Sequence, residues 1–203
     1  KVIRRRLFSS IDDSRVAETI NAYRELWTTH RDILSEEARR STTVAEFAQT
    51  YPFHPDVLDT LTGKTATLGG FQRVRGMLRI LAKTVATVWA NRPSDAYAIH
   101  LHHTVLGSDV VRREFTTRLQ QGAFVPAILN DISGPPEKPA LAQELDTKHF
   151  KGLLPYGTYV ARTIFVHTLA FNNDLKGLSA DHLRYSILSP AADLSFIDDA
   201  KTK

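Results

Sequence analysis

Apolar and polar positions alternate along this chain with a helical period almost throughout. Val16, Ile20, Tyr23, Trp27, His30 and Leu34 recur by alternating fours and threes, which places them on one stripe of a 3.6-residue helix. Arg24, Glu25, Arg31 and Asp32 fall mostly away from that stripe, and Ser14 is the expected N-cap. After fraying around 39–41, Thr42 or Thr43 is expected to cap a short helical turn through Phe47 to Tyr51. Proline disfavours helix in the residue before it, so Tyr51 and His54 are expected extended, with a helix starting at Pro55 and ending at Gly63. Phe71, Val74, Leu78, Leu81, Val85 and Val88 give the strongest periodic signal and predict a helix from about Phe71 to Ala90.

Asn91-Arg92-Pro93-Ser94 breaks that helix, and Tyr97 to Leu101 reads as a short strand or extended linker. Ser108 is expected to cap a helix through Val110, Val111, Phe115 and Leu119, and Phe124 to Ile132 is another short helix. The run 133–139, with three prolines and a glycine, is the best linker candidate. Beyond it, Ala140 to Leu145 is expected to make a helical turn. Pro155 opens a helix burying Val160, Ile164, Phe165, Thr168 and Leu169, Ser179 begins one through Leu188, and Ser195 starts a last one. The expected fold is mainly α: a helical domain over 1–132, a linker over 133–139, and a helical segment over 140–203. Its three short helices resemble part of a winged helix lacking its wing.

Composition narrows the classes. Apolar residues at 42% and charged residues at 24% are ordinary for a globular domain. No run nears the roughly eighteen apolar residues of a membrane span, and the basic start lacks a signal-peptide core. A cytoplasmic location with no membrane partner is expected. With no cysteine, disulfides, thiolate metal sites and a cysteine nucleophile are excluded. The single methionine is Met77, so the chain is expected to be a piece of a longer protein. The net charge of +4 permits contact with phosphates without requiring it.

Candidate chemistry is sparse. Gly63-Lys64-Thr65 looks like the tail of a P-loop, but Leu58 stands where its first glycine belongs and no strand precedes it; we read it as a helix stop. Arg75, Arg79 and Lys83 make one basic stripe, while Arg73 lies near the helix start, where a cation is disfavoured unless an anion holds it. An arginine there can reach a nucleotide phosphate from a neighbouring domain; the plainer reading is an ion-paired helix face. His100 and His102 would share one face of a strand, with His103 opposed. No third ligand is tied to them by spacing, so a hydrogen-bonded cluster is expected and no metal site. His54 reads as packing, and no serine has a nucleophile-elbow setting.

Several stretches carry a family resemblance: Arg6-Leu7-Phe8, Tyr51-Pro52-Phe53-His54-Pro55, Phe71-Gln72-Arg73-x-Arg75-Gly76-x-Leu78-Arg79-x-Leu81-Ala82, Ile99-His100 and Ile164-Phe165-x-His167. Together, over nearly the whole chain, they resemble an uncharacterised family of large prokaryotic predicted AAA+-superfamily ATPases, often associated with phage-defence gene clusters and including the ATPase of phage-growth-limitation systems. The resemblance implies a helical lid following a P-loop core that this chain lacks, then the start of a winged-helix-like part. It implies ATP and Mg in the full-length parent, none for the fragment alone, and no autonomous activity. In such lids a Gly-x-x-Arg at a helix start supplies a sensor arginine. Gly70-Phe71-Gln72-Arg73 is similar in form, which points to Arg73 first, Arg75 second, and Arg6 as an inter-subunit arginine. The missing core is the implied partner, with a homo-oligomer and DNA left open. The alternatives are a nucleic-acid-binding winged-helix-type module and a purely structural interaction domain.

Overall fold

Asp12, rather than Ser14, starts the first long helix: its Oδ1 accepts the backbone N–H of Ser14 at 3.0 Å, satisfying a donor that the helix itself leaves open. The computed structural model describes residues 2–64, 70–114, 122–168 and 178–203, with side chains for all of these but residues 2, 4, 5, 64 and 70–74. The fold is mainly helical. In order come α1 (Val2–Leu7), α2 (Asp13–Thr29), α3 (Glu36–Arg39), α4 (Thr43–Thr50), α5 (Pro55–Lys64) and α6 (Gly70–Asn91). They are followed by α7 (Asp109–Arg113), α8 (Val125–Ala127), α9 (Leu141–His149), α10 (Tyr156–Thr168), α11 (Ala180–Ile187) and α12 (Leu194–Thr202). Among the described residues the extended pairing is a single parallel bridge between Phe53 and Ile99.

Three apolar clusters hold these helices. In the first, Phe53, Val57 and Leu61 around α5 meet Met77, Ile80 and Leu81 of α6, with Ile99, Leu101, Ile128, Phe165 and Val166. In the second, the α2 stripe of Val16, Ile20, Tyr23 and Trp27 packs on Phe47 of α4, Tyr185 and Leu188. The third joins Phe150, Tyr156, Tyr159 and Val160 to Leu183, Ile187 and Ile197. Each fully buried side chain of this size contributes roughly 1.5–3 kcal/mol by leaving water.

The buried seam of α6 differs from the expected one. Met77, Ile80, Leu81 and Thr84 are buried, while Leu78, Val85 and Val88 are half-buried; Phe71 and Val74 lie outside the described side chains. Apolar residues occupy several sides of this helix, so periodicity alone left the facing side open. Ile164, expected inside, is exposed on α10. Phe115, Leu119 and Leu169 lie outside the described residues.

Segment 133–139 is a closed turn. Gln143 Oε1 accepts the backbone N–H of both Gly134 and Ala140 at 2.8 Å. A Cβ on Gly134 would lie 2.3 Å from the Lys138 carbonyl oxygen, so only glycine fits. Side chains from before and after this turn share the first two clusters. No described helix is long and apolar enough to cross a membrane.

Candidate functional site

His54 ends the extended residues after Pro52, and Pro55 and Asp56 open α5, so the local proline grammar sets Asp56 in the buried first turn of that helix. Asp56 is 3% exposed. A buried carboxylate needs hydrogen bonds to remain charged, and this one has four. His182 Nε2 and Thr60 Oγ1 approach Oδ1 at 2.9 and 3.3 Å. His167 Nε2 approaches Oδ2 at 3.0 Å, and Ser186 Oγ donates to the same oxygen.

Burial alone would raise the Asp56 pKa, but the hydrogen bonds and charges of His167 and His182 prevail and hold it well below the usual carboxylate range. For His182 burial works to lower the pKa; the Asp56 hydrogen bond, with the charges of Asp56, Glu37 and Asp181, outweighs it and raises the value. Glu37 Oε2 faces the far nitrogen, His182 Nδ1, at 3.6 Å. α10 and α11 supply His167, His182 and Ser186.

A second group of imidazoles runs on from this cluster. His100 Nδ1 lies 2.7 Å from the Ser186 carbonyl oxygen, and the Tyr23 hydroxyl lies 2.7 Å from His100 Nε2. Since a carbonyl only accepts, His100 carries its proton on Nδ1 and Tyr23 donates to Nε2. The rings form a ladder: His54 on His100 at 4.4 Å between centroids, His100 on His102 at 5.1 Å, and His102 on Tyr159 at 3.9 Å. Burial depresses all four histidines first. The competition of neighbouring imidazoles for a proton adds to it for His54, His100 and His102, and the Arg162 guanidinium does for His103. His100 and His103 are pushed down to about 4.

Of the two expectations for Tyr97 to Leu101, a short strand or an extended linker, the strand reduces to the single bridge at Ile99. Residues 101–103 form a 3-10 turn, whose i and i+3 positions eclipse, so the His103 ring turns back to the His100 backbone while the His100 and His102 rings stack. The His100 backbone N–H donates to His103 Nδ1 at 2.9 Å. Asp95 Oδ2 lies 3.8 Å from His102 Nε2 and 3.9 Å from His103 Nε2. Those distances exceed hydrogen-bond reach, and with both rings kept neutral by burial neither is an ion pair. A cavity of about 160 Å3 borders His102, His103, Tyr159 and Arg162.

The arginines singled out from the sequence lie on α1 and α6. Arg6 is exposed on α1 and Arg75 on α6; Arg73 falls in the first turn of α6, its side chain outside the described residues. α5 runs one residue past Gly63, to Lys64, and Thr65 lies outside the described residues. A helix leads into this triplet where a P-loop needs a strand. Sequence reasoning missed Asp56, His182, Ser186 and Glu37, which no local spacing connects.

Comparison with known proteins gives one family. The model described as DUF499 second domain matches residues 1–190, and the chain belongs to that family. No curated protein and no solved structure matches it.

Proposed function

We propose that this DUF499 second domain is the nucleotide-sensing and coupling domain of a larger, AAA+-type P-loop ATPase, acting as a helical lid that does not hydrolyse ATP alone. The observation that carries this reading is α6. It is 22 residues long and opens at Gly70, which sets Arg73 in its first turn. Arg75 stands exposed two residues on, and Met77, Ile80 and Leu81 anchor the helix to the body. A cation in a first turn opposes the helix dipole, and a phosphate brought by a neighbouring core would relieve that opposition. Trp89, 75% exposed near the other end of the same helix, offers an anchor of the kind that interfaces favour. The family description as a second domain accords with a partner core elsewhere in the polypeptide, and the ATP and Mg belong to that core.

The winged-helix and DNA readings draw less support. At the end of α12 and just past it, Lys201 and Lys203 are engaged by Asp198 and Asp199 at 3.6 and 3.3 Å, and α11 buries Leu183, Tyr185, Ser186 and Ile187, leaving these two helices little basic surface to offer a groove. The test is Arg73→Ala in the longer protein. Removal of a charge-stabilising arginine is expected to cut ATP turnover by about a hundredfold or more. Turnover and nucleotide affinity both at the parental level would remove Arg73 from the assignment.

A further inference from the structure

We propose that Asp56, His167 and His182 form a binding site for one divalent transition-metal ion, Zn2+ being the ion best matched to two imidazoles and a carboxylate. This site is independent of the α6 arginines and of the nucleotide reading.

The geometry is convergent. One oxygen of Asp56 and one ring nitrogen from each histidine lie within 4.8 Å of one another. Both imidazoles direct Nε2 at the same carboxylate, at 2.9 and 3.0 Å. Ligands held at about 2.0–2.2 Å around a tetrahedral ion stand roughly 3.3–3.6 Å apart, close to the spacing of each ring from its own carboxylate oxygen. Two histidines and one carboxylate leave a coordination position for water, the pattern of open zinc and facial-triad centres. Access is available from the histidine side, where the His182 and His167 side chains are 22% and 13% exposed, while Asp56 closes the floor at 4%.

The outer contacts suit a metal as well. A histidine bound through Nε2 carries its proton on Nδ1, and that N–H is commonly received by a carboxylate. Glu37 Oε2 stands at His182 Nδ1, 3.6 Å away. Ser186 and Thr60 already donate to the carboxylate oxygens and would orient Asp56 in the same way around an ion.

The other group of similar make-up, Asp95 with His102 and His103, fails on the same criterion. His103 Nδ1 accepts the His100 backbone N–H at 2.9 Å and so cannot take up the proton that Nε2 would have to give up on ligation, whereas His182 Nδ1 faces Glu37 and can. Arg162, buried beside it, adds a repelling charge. A metal is therefore placed at Asp56 and not at Asp95.

The experiment is titration of the chelator-stripped chain with Zn2+ by calorimetry, and with Co2+ by visible absorption. The expected result is one equivalent bound, with a dissociation constant of about a micromolar or below. His167→Gln and His182→Gln are each expected to weaken binding by more than about a hundredfold, and Glu37→Gln by about tenfold. His149→Gln, at an exposed position on α9, is expected to bind as the parent does. Absence of binding, or binding that survives both His167→Gln and His182→Gln, overturns the proposal. Should either histidine variant lose its helical circular dichroism, the Glu37→Gln affinity and the Co2+ spectrum of the parent decide. A four- or five-coordinate nitrogen–oxygen spectrum supports the site, and a hexa-aquo-like spectrum overturns it.

Discussion

The Nδ1–H of His100 donates to the carbonyl oxygen of Ser186 at 2.7 Å, and that bond ties the histidine ladder to the Asp56 cluster. Ser186 serves both: its carbonyl receives His100 while its hydroxyl donates to Asp56. The bond also fixes the His100 tautomer, so the Tyr23 hydroxyl must be the donor at Nε2.

Tyr23→Phe removes that donor with almost no change in volume. Tyr23 is 0% exposed, so the His100 Nε2 lone pair is left buried without a partner. The expected loss is about 1–3 kcal/mol, read as a lower urea midpoint at unchanged slope. A midpoint equal to the parent's would show that the bond contributes nothing net.

Stability is expected to fall with acid between about pH 6.5 and pH 4. His100 and His103 are neutral when folded, with values pushed down to about 4 by burial and by nearby positive charge, against about 6.5 unfolded. His100 faces Tyr23, His54, His102 and His103. His103 faces Asp95, His102, Tyr159 and Arg162. A base whose folded value is depressed contributes stability that is complete above the unfolded value and is lost as pH falls towards the folded one, because the unfolded chain then binds more protons. The loss is on the order of 3 kcal/mol per histidine by pH 4. Urea unfolding at half-unit pH steps checks this; a flat profile from pH 7 to pH 4.5 contradicts it.

Asp146→Ala is expected to loosen the start of α10. Asp146 Oδ1 accepts the Gly157 N–H at 2.7 Å, and Oδ2 accepts the Thr158 N–H at 3.0 Å, so one side chain caps the helix that carries His167. Loss of such a cap costs about 1–2 kcal/mol. Thermal unfolding measures it, and an unshifted midpoint would deny Asp146 that role.

Gly134→Ala is expected to cost about 1–3 kcal/mol. Its Cβ would meet the Lys138 carbonyl oxygen at 2.3 Å and the Ala140 nitrogen at 2.9 Å. Both are backbone atoms, with no flexible end to yield. Equal stability of variant and parent would mean that the 133–139 turn relaxes without penalty.

Local periodicity carried the helices well, because it is a property of neighbouring residues. The helix expected from Phe71 to Ala90 is α6, Gly70–Asn91, and the α2 stripe is buried as its spacing implied. The turn chemistry was harder to read. Ser14 and Asp12 are equally good caps by type, and the tyrosine-to-leucine run 97–101 closes into a 3-10 turn after one bridge. The Asp56 cluster was not legible, since His167 and His182 stand 111 and 126 residues further along the chain. Only the packing of α10 and α11 against α5 brings them together. His54-Pro55-Asp56 held the one hint: an acidic residue in the first turn of a helix whose apolar neighbours, Val57 and Leu61, face inward.

The central claim is that α6 senses a nucleotide held by the rest of the protein. Amide hydrogen exchange over residues 70–91 in the longer protein, with and without ATP and Mg, addresses it most directly. The account predicts that ATP slows exchange in the first turn, around Arg73 and Arg75, and that Arg73→Ala abolishes the slowing. Identical exchange over 70–91 with and without ATP, in a parent that demonstrably binds it, would contradict the claim.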